Sequence, residues 1–264
     1  MALIQYFEKS GNVLFKYRGQ IPILIFVLSL PILAGTNQHL YAQLADGQCV
    51  TLRVTLMIIA FILSIAGLVL RAYTVSTTPK GTSGRNTEKQ VAKHLNTQGI
   101  YSIVRHPLYL ANYLIWAGLL VFSMNIYAFI IVSLVYWLYY ERIMFAEEAF
   151  LRSQFGRDFE NWAASVPAIL PNFKLFHKGD MKFSFKTCLR REYVTVFSTV
   201  LSYTVVDYML FLLITVQSTS LASLTCCQWL RPSLYIALVC CLLMLILRTL
   251  KHHTNLLRSD ATRD

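Results

Sequence analysis

The sequence predicts an all-α, polytopic transmembrane helix bundle of about six spans, on three observations. The 264 residues are 56% hydrophobic and only 14% charged, too few charges to cover a water-facing surface. Six apolar stretches approach or reach the roughly 20 residues a helix needs to cross a hydrocarbon core about 30 Å thick. The basic residues are also distributed asymmetrically. With the N-terminus cytoplasmic, the inner segments hold three before residue 20, six from Arg71 to Arg105, nine from Arg142 to Arg191 and four from Arg248 to Arg263. The outer segments 36–51, 124–126 and 217–230 hold none, the pattern that short cytoplasmic loops impose.

The first span, residues 20–35, is the shortest and contains Pro22 and Pro31. With no small-residue cleavage pattern after it, it is expected to remain as a helix. The second covers 53–75. The third and fourth, 107–123 and 127–145, form a hairpin around Met124-Asn125-Ile126, and 193–216 and 232–247 complete the set. Arg53 and Arg231 lie at helix ends, where they are expected to snorkel. Asp207, the acid deepest in a span, is expected in a structural hydrogen-bonding role with Tyr203 and Tyr208.

Between the spans lie two sizeable inner loops. The first, 76–105, is turn-forming by its Gly, Pro and Ser content. The second continues the fourth helix through Glu141 to Phe155 and ends at Gly156, a residue suited to a helix C-terminus. Beyond it, Phe159, Trp162, Val166 and Leu170 suit an interfacial amphipathic segment stopped by Pro167 and Pro171. Three regions are expected: an N-terminal helix and outer loop over 1–51, a membrane core over 52–173, and a two-helix extension with a basic tail over 174–264. The net charge of +11 is read as topology and contact with anionic headgroups; no aromatic residues interleave with a basic groove as a nucleic-acid interface requires. The six cysteines include the adjacent pairs Cys226-Cys227 and Cys240-Cys241, which lack zinc-ligand spacing, so no metal site is expected.

The hairpin turn sets the register of its two arms. Tyr109 falls level with Tyr140 and His106 with Ile143, bringing Arg105, His106 and Tyr109 within a turn or two of Glu141, Arg142, Glu147 and Glu148. Taken singly, Arg105 and Arg142 also read as headgroup anchors, His106 as a cap before Pro107, and Glu147-Glu148 as a solvated face.

The ordered pattern Gly99-x-Tyr101-x-x-x-Arg105-His106-Pro107-x-Tyr109, then Glu147-Glu148-x-x-Leu151-x-x-x-Phe155-Gly156-x-x-Phe159 and Val166-Pro167-x-x-Leu170-Pro171, resembles the signature of the isoprenylcysteine carboxyl methyltransferases and their phospholipid methyltransferase-like and bacterial relatives. The resemblance covers roughly residues 52–173. It implies a cytosolic-side pocket for S-adenosyl-L-methionine, with contacts from Lys93, His94, Leu95, Asn96, Tyr101, His106, Pro107, Leu108, Tyr109 and Glu147. Arg142, Glu148 and Arg105 are the expected catalytic residues. The ligand's chemistry suits these side chains: a carboxylate for amino or hydroxyl groups, a histidine donor for the carboxylate, and tyrosine faces for adenine or the sulfonium.

The chain departs from the prenylcysteine pattern where a substrate-facing arginine would stand four residues before Glu147. Ile143 occupies that place, with Arg142 one position earlier. With no evident general base, the expected acceptor is an anionic carboxylate or phosphate on a lipid or lipid-linked molecule, and not prenylcysteine. The run Gly81 to Asn86 resembles bacterial members that act on lipids. The expected setting is a bacterial inner membrane with both termini cytoplasmic. The alternatives are a non-catalytic transporter, sensor or scaffold, and an NADPH-dependent membrane reductase.

Overall fold

A computed structural model describes residues 3–47, 49–79, 92–218 and 226–257. All regular structure among them is helical: α1 (Leu3–Lys16), α2 (Ile21–Gly35), α3 (Gln38–Ala45), α4 (Val50–Thr77), α5 (Pro107–Phe122), α6 (Ile126–Phe155), α7 (Arg157–Ser165), α8 (Phe185–Ser218), the single turn α9 (Cys226–Trp229) and α10 (Pro232–His253). Four of these, α4, α6, α8 and α10, are long and apolar enough to cross a membrane, and the α1–α2 pair makes a fifth candidate bent by 88°. The remaining predicted span, α5, is a shorter apolar helix. The protein is an integral membrane protein whose outward faces, such as Leu238, Val239 and Leu242 on α10, suit contact with lipid.

An 88° bend separates α1 from α2. The chain turns at Tyr17–Gln20, and Pro22 opens α2 where its missing N–H costs nothing. The preceding helix α1 was not expected. Its Phe7, Gly11, Leu14 and Phe15 fall at helical spacing on one face, which packs along α6. Gly11 is required there, because a Cβ would lie 2.1 Å from the Arg142 carbonyl oxygen. Tyr139 Oη also donates to the Leu14 carbonyl at 3.2 Å.

Small residues bring α4 and α5 together. A Cβ on Gly118 would sit 2.2 Å from Ser64 Oγ and 2.5 Å from the Ala60 carbonyl, the close approach that gives membrane helices their contact in the absence of a hydrophobic drive. At the hairpin turn Met124 takes φ 53°, and Asn125 Oδ1 accepts from Ala128 N at 3.0 Å to cap α6. Asn37 Nδ2 donates to the Met124 carbonyl at 2.7 Å, so the loop containing α3 covers this turn.

The predicted register holds: the Tyr109 and Tyr140 rings are 4.8 Å apart and those of Tyr113 and Tyr136 5.3 Å apart. Asp207 departs from expectation. Its two oxygens accept from Arg231 Nε and Nη2 at 2.6 and 2.7 Å, and Ser233 adds a bond of 2.7 Å. Arg231 therefore does not snorkel. Tyr203 turns instead to Ser64 and the Ala60 carbonyl, and Tyr208 donates to the Trp229 carbonyl. The start of α10 packs beside Asp207, and a fork held by two oxygens outcompetes a single phenol.

Candidate active site

The site begins with backbone pairing between the two halves of the motif. Arg105 N donates to the Pro167 carbonyl at 2.9 Å, His106 N to Ala168 at 3.2 Å, and Asn172 N to Ile103 at 2.9 Å. The Val166–Pro171 segment thus docks on the residues that lead into α5, where the Pro167 carbonyl accepts from Arg105 N. The Trp162 indole N–H reaches the Tyr101 carbonyl at 3.1 Å, and Phe159 on the same helix is fully buried. Arg105 closes this arrangement. One Nη donates to the Ala163 and Val166 carbonyls at 2.6 and 2.8 Å, satisfying the C-terminal end of α7, while Nε donates to Glu148 Oε1 at 2.9 Å.

Around this frame His106, Tyr109, Glu147 and Glu148 form one cluster. His106 Nε2 lies 2.9 Å from Glu148 Oε1 and Nδ1 lies 3.6 Å from Glu147 Oε2. Tyr109 Oη donates to Glu147 Oε1 at 2.6 Å, its ring stacks on the imidazole with centroids 5.8 Å apart, and Arg18 approaches the same carboxylate at 4.0 Å. Burial opposes a charge on His106, but the hydrogen bonds and negative charges of Glu147 and Glu148 outweigh it and hold its pKa above the ordinary value. The Tyr101 phenol is pushed up by burial and by the charge of Glu147, against a hydrogen bond with Thr78 that lowers it.

The cluster borders a cavity of about 550 Å³, within the range of small-molecule sites. His94, Leu95, Asn96, Tyr101, Arg105, His106, Pro107, Leu108, Tyr109 and Glu147 line it. Lys93 is exposed and off the wall. Glu148 stands behind the wall, holding Arg105 and His106. Arg142, expected as a catalytic group, faces elsewhere: its guanidinium lies 4.2 Å from the Phe7 ring and donates to Ser10 Oγ at 3.3 Å. Arg142 and Glu147 are five positions apart, which puts them about 140° apart around α6, so closeness in sequence does not bring them to one face. The run 81–86 lies outside the described residues.

Among the lining residues that were not anticipated, Arg18, Arg71, Asn112, Tyr140, Arg191 and Glu192 carry charge or hydrogen-bonding groups. Asn112 follows Tyr109 by three positions and shares its helix face. Glu192 and Arg71 had a signal of their own, as ionisable residues toward the ends of apolar helices. Because α8 begins at Phe185, well before the predicted 193, Arg191 and Glu192 are carried on the helix itself.

Comparison with known proteins matches the segment that carries this cluster. Residues 51–158 match the phospholipid methyltransferase family model. A probable protein-S-isoprenylcysteine O-methyltransferase of Oryza sativa subsp. indica is 33% identical over 120 residues, 43% of this chain and 60% of that protein. The protein-S-isoprenylcysteine O-methyltransferase of Schizosaccharomyces pombe is 38% identical over 78 residues, 29% of this chain and 33% of that one. The cobalt-zinc-cadmium resistance protein CzcN of Cupriavidus metallidurans is 34% identical over 82 residues, 31% and 38% of the two chains. This chain spans 60% or less of the length of each of these relatives. No solved structure matches it. Through the segment that carries the His106–Glu147 cluster, the chain is similar to the phospholipid and isoprenylcysteine methyltransferases.

Proposed function

We propose that the protein is a membrane methyltransferase that takes its methyl group from S-adenosylmethionine and transfers it to an anionic group, a carboxylate or phosphate, of a lipid or lipid-linked acceptor. The observation that carries this reading is the Glu147–Tyr109–His106 cluster on the wall of a 550 Å³ cavity, within the family-matched segment. The donor set fits such a ligand. Glu147 accepts from an amino group or hydroxyls, Arg18 and a His106 ring N–H donate to a carboxylate, and the Tyr101 and Tyr109 rings offer faces to a flat base or a cation. When bound, S-adenosylmethionine supplies an electrophilic methyl group on a cationic sulfur.

The remaining work falls to this chain's residues and is largely positioning, since correct orientation alone can supply several kcal/mol of a barrier. Glu148 holds His106 and Arg105 in place from behind. Phe150, Leu151 and Trp162 line the cavity and exclude water. Four guanidinium groups, of Arg18, Arg71, Arg105 and Arg191, share the lining with two carboxylates, of Glu147 and Glu192, an excess of positive charge that favours an anionic acceptor. Such an acceptor is already nucleophilic at neutral pH and needs no base to take its proton. Ile143 is fully buried in the core and offers no charge where a prenylcysteine-binding arginine is expected, which supports a different acceptor. The basic end of the bundle, with α1, the cavity and the α10 C-terminus, faces the cytoplasm in this reading, and the setting is a bacterial inner membrane.

Calorimetry on the purified full chain tests the proposal. S-adenosylhomocysteine binds, and His106→Gln or Glu147→Gln weakens it by about tenfold or more. Binding of NADPH in its place would move the assignment to a reductase, and binding of neither would favour the non-catalytic reading. Comparison of lipids from a deletion strain and its parent by mass spectrometry then identifies the acceptor as the species that has lost one methyl group.

A further inference from the structure

The cavity has a second polar end, built by three helices. Arg71 on α4 donates from Nε to Glu192 Oε2 at 2.8 Å and from Nη2 to Glu192 Oε1 at 3.1 Å, and Nη1 donates to Asn112 Oδ1 on α5 at 2.5 Å. Glu192 belongs to α8, outside the residues that match the family. The pair is well shielded, with side-chain exposures of 17% and 7%. Asn112 lies about one helical turn from Tyr109, toward the centre of α5 and so toward the membrane interior. Tyr140, which lines the same cavity and is in ring contact with Tyr109, joins this end to the His106–Glu147 cluster.

A buried ion pair is a poor source of stability, since apolar side chains of similar volume usually do as well or better. Ionisable groups within membrane helices instead tend to face cavities and mark substrate paths. Arg71 has five N–H bonds, of which three are used, leaving one on each terminal nitrogen. Those two donors suit bridging by an oxyanion, and Arg191 beside Glu192 lines the same cavity and gives this end more positive than negative charge.

We propose that Arg71, held in orientation by Glu192 and Asn112, receives the carboxylate or phosphate of an acyl-chain acceptor, so that α8 takes part in acceptor selection. The assignment rests on the methyltransferase reading and adds to it the residue that recognises the acceptor. Glu192 and Asn112 are positioning residues.

The test uses the full chain in detergent with two probes that share a chain and differ in charge, oleate and oleyl alcohol, with lysophosphatidic acid as the phosphate counterpart. Each is titrated with and without saturating S-adenosylhomocysteine. The unaltered protein is expected to prefer the anions over the alcohol by about tenfold or more, and Arg71→Gln to remove most of that preference while S-adenosylhomocysteine affinity stays within about twofold. Arg71→Lys, which keeps the charge but loses the fork, retains part of the preference. The double change Arg71→Gln with Glu192→Gln leaves no unpaired carboxylate and is expected to match Arg71→Gln, which separates lost recognition from lost folding. Equal loss for oleate and oleyl alcohol, or an unchanged preference in the double variant, would overturn the proposal. Failure of S-adenosylhomocysteine to bind the unaltered chain would count against the methyltransferase reading, while the lipid titrations without it still decide the role of Arg71.

Discussion

The phenolic O–H of Tyr109 donates to Glu147 Oε1 at 2.6 Å, joining opposite arms of the α5–α6 hairpin. With one oxygen occupied in this way, the other, Oε2, faces His106 Nδ1 at 3.6 Å. A hydrogen bond to a charged group contributes about 1.5–3 kcal/mol net. Tyr109→Phe keeps the ring stacking and removes only this bond, and is expected to weaken S-adenosylhomocysteine binding by roughly tenfold. Calorimetry on the two proteins measures it, and equal affinities would show that the carboxylate needs no such restraint.

His106 sets a pH dependence. Its folded pKa is raised by Glu147 and Glu148 despite burial, so the folded state holds its proton more tightly than the unfolded chain does. The resulting stabilisation is fully present below the ordinary imidazole value of about 6.5 and is lost as pH rises through the raised folded value. Thermal melts in detergent should show the melting temperature falling with pH across that window, with a flatter profile for His106→Gln. Identical slopes would contradict the assignment.

Arg105 holds α7 and the docked Pro167–Pro171 segment in place. Arg105→Gln leaves the Ala163 and Val166 carbonyls short of a donor, at a cost of about 1–3 kcal/mol for each buried group left unsatisfied. Hydrogen exchange is expected to accelerate in α7 and at the Arg105, His106 and Asn172 amides, with α8 and α10 unchanged. Uniform acceleration along the chain would instead indicate global destabilisation.

The Asp207–Arg231 pair joins α8 to α10 within the membrane. Asp207→Asn leaves the half-buried Arg231 guanidinium without its counter-charge, a loss of up to about 3 kcal/mol, the lower end of the range for buried pairs, whereas replacing both partners by leucine is expected to recover most of it. Thermal unfolding of the single and double variants measures this. Because the pair is remote from the cavity lining, S-adenosylhomocysteine affinity should be the same in every variant that folds.

The tight hairpin turn made one part of the site readable from the chain. Once Met124 and Asn125 marked the reversal, helical rise alone placed Tyr109 beside Tyr140 and brought His106 to the Glu147-Glu148 pair, and the ring contact at 4.8 Å agrees. Arg142, by contrast, lies within two turns of Glu147 along α6 but not on its side of the helix, because rotation around the axis separates them by about 140°. Arg18 was out of reach for another reason. It enters the cavity only because the chain turns by 88° after α1, and an angle between helices depends on packing that no local spacing records.

The sequence by itself determined the helical class, the segments that meet lipid, the asymmetry of charge and the motif that lines one end of the cavity. These depend on side-chain hydrophobicity, charge and helical period, all of which act locally. Only the tertiary structure decided that Arg231 answers Asp207, that Arg142 belongs to the α1 contact, and that Glu192 of α8 meets Arg71 and Asn112. Each of those choices compares partners far apart in the chain, and the geometry of whole packed helices selects among them.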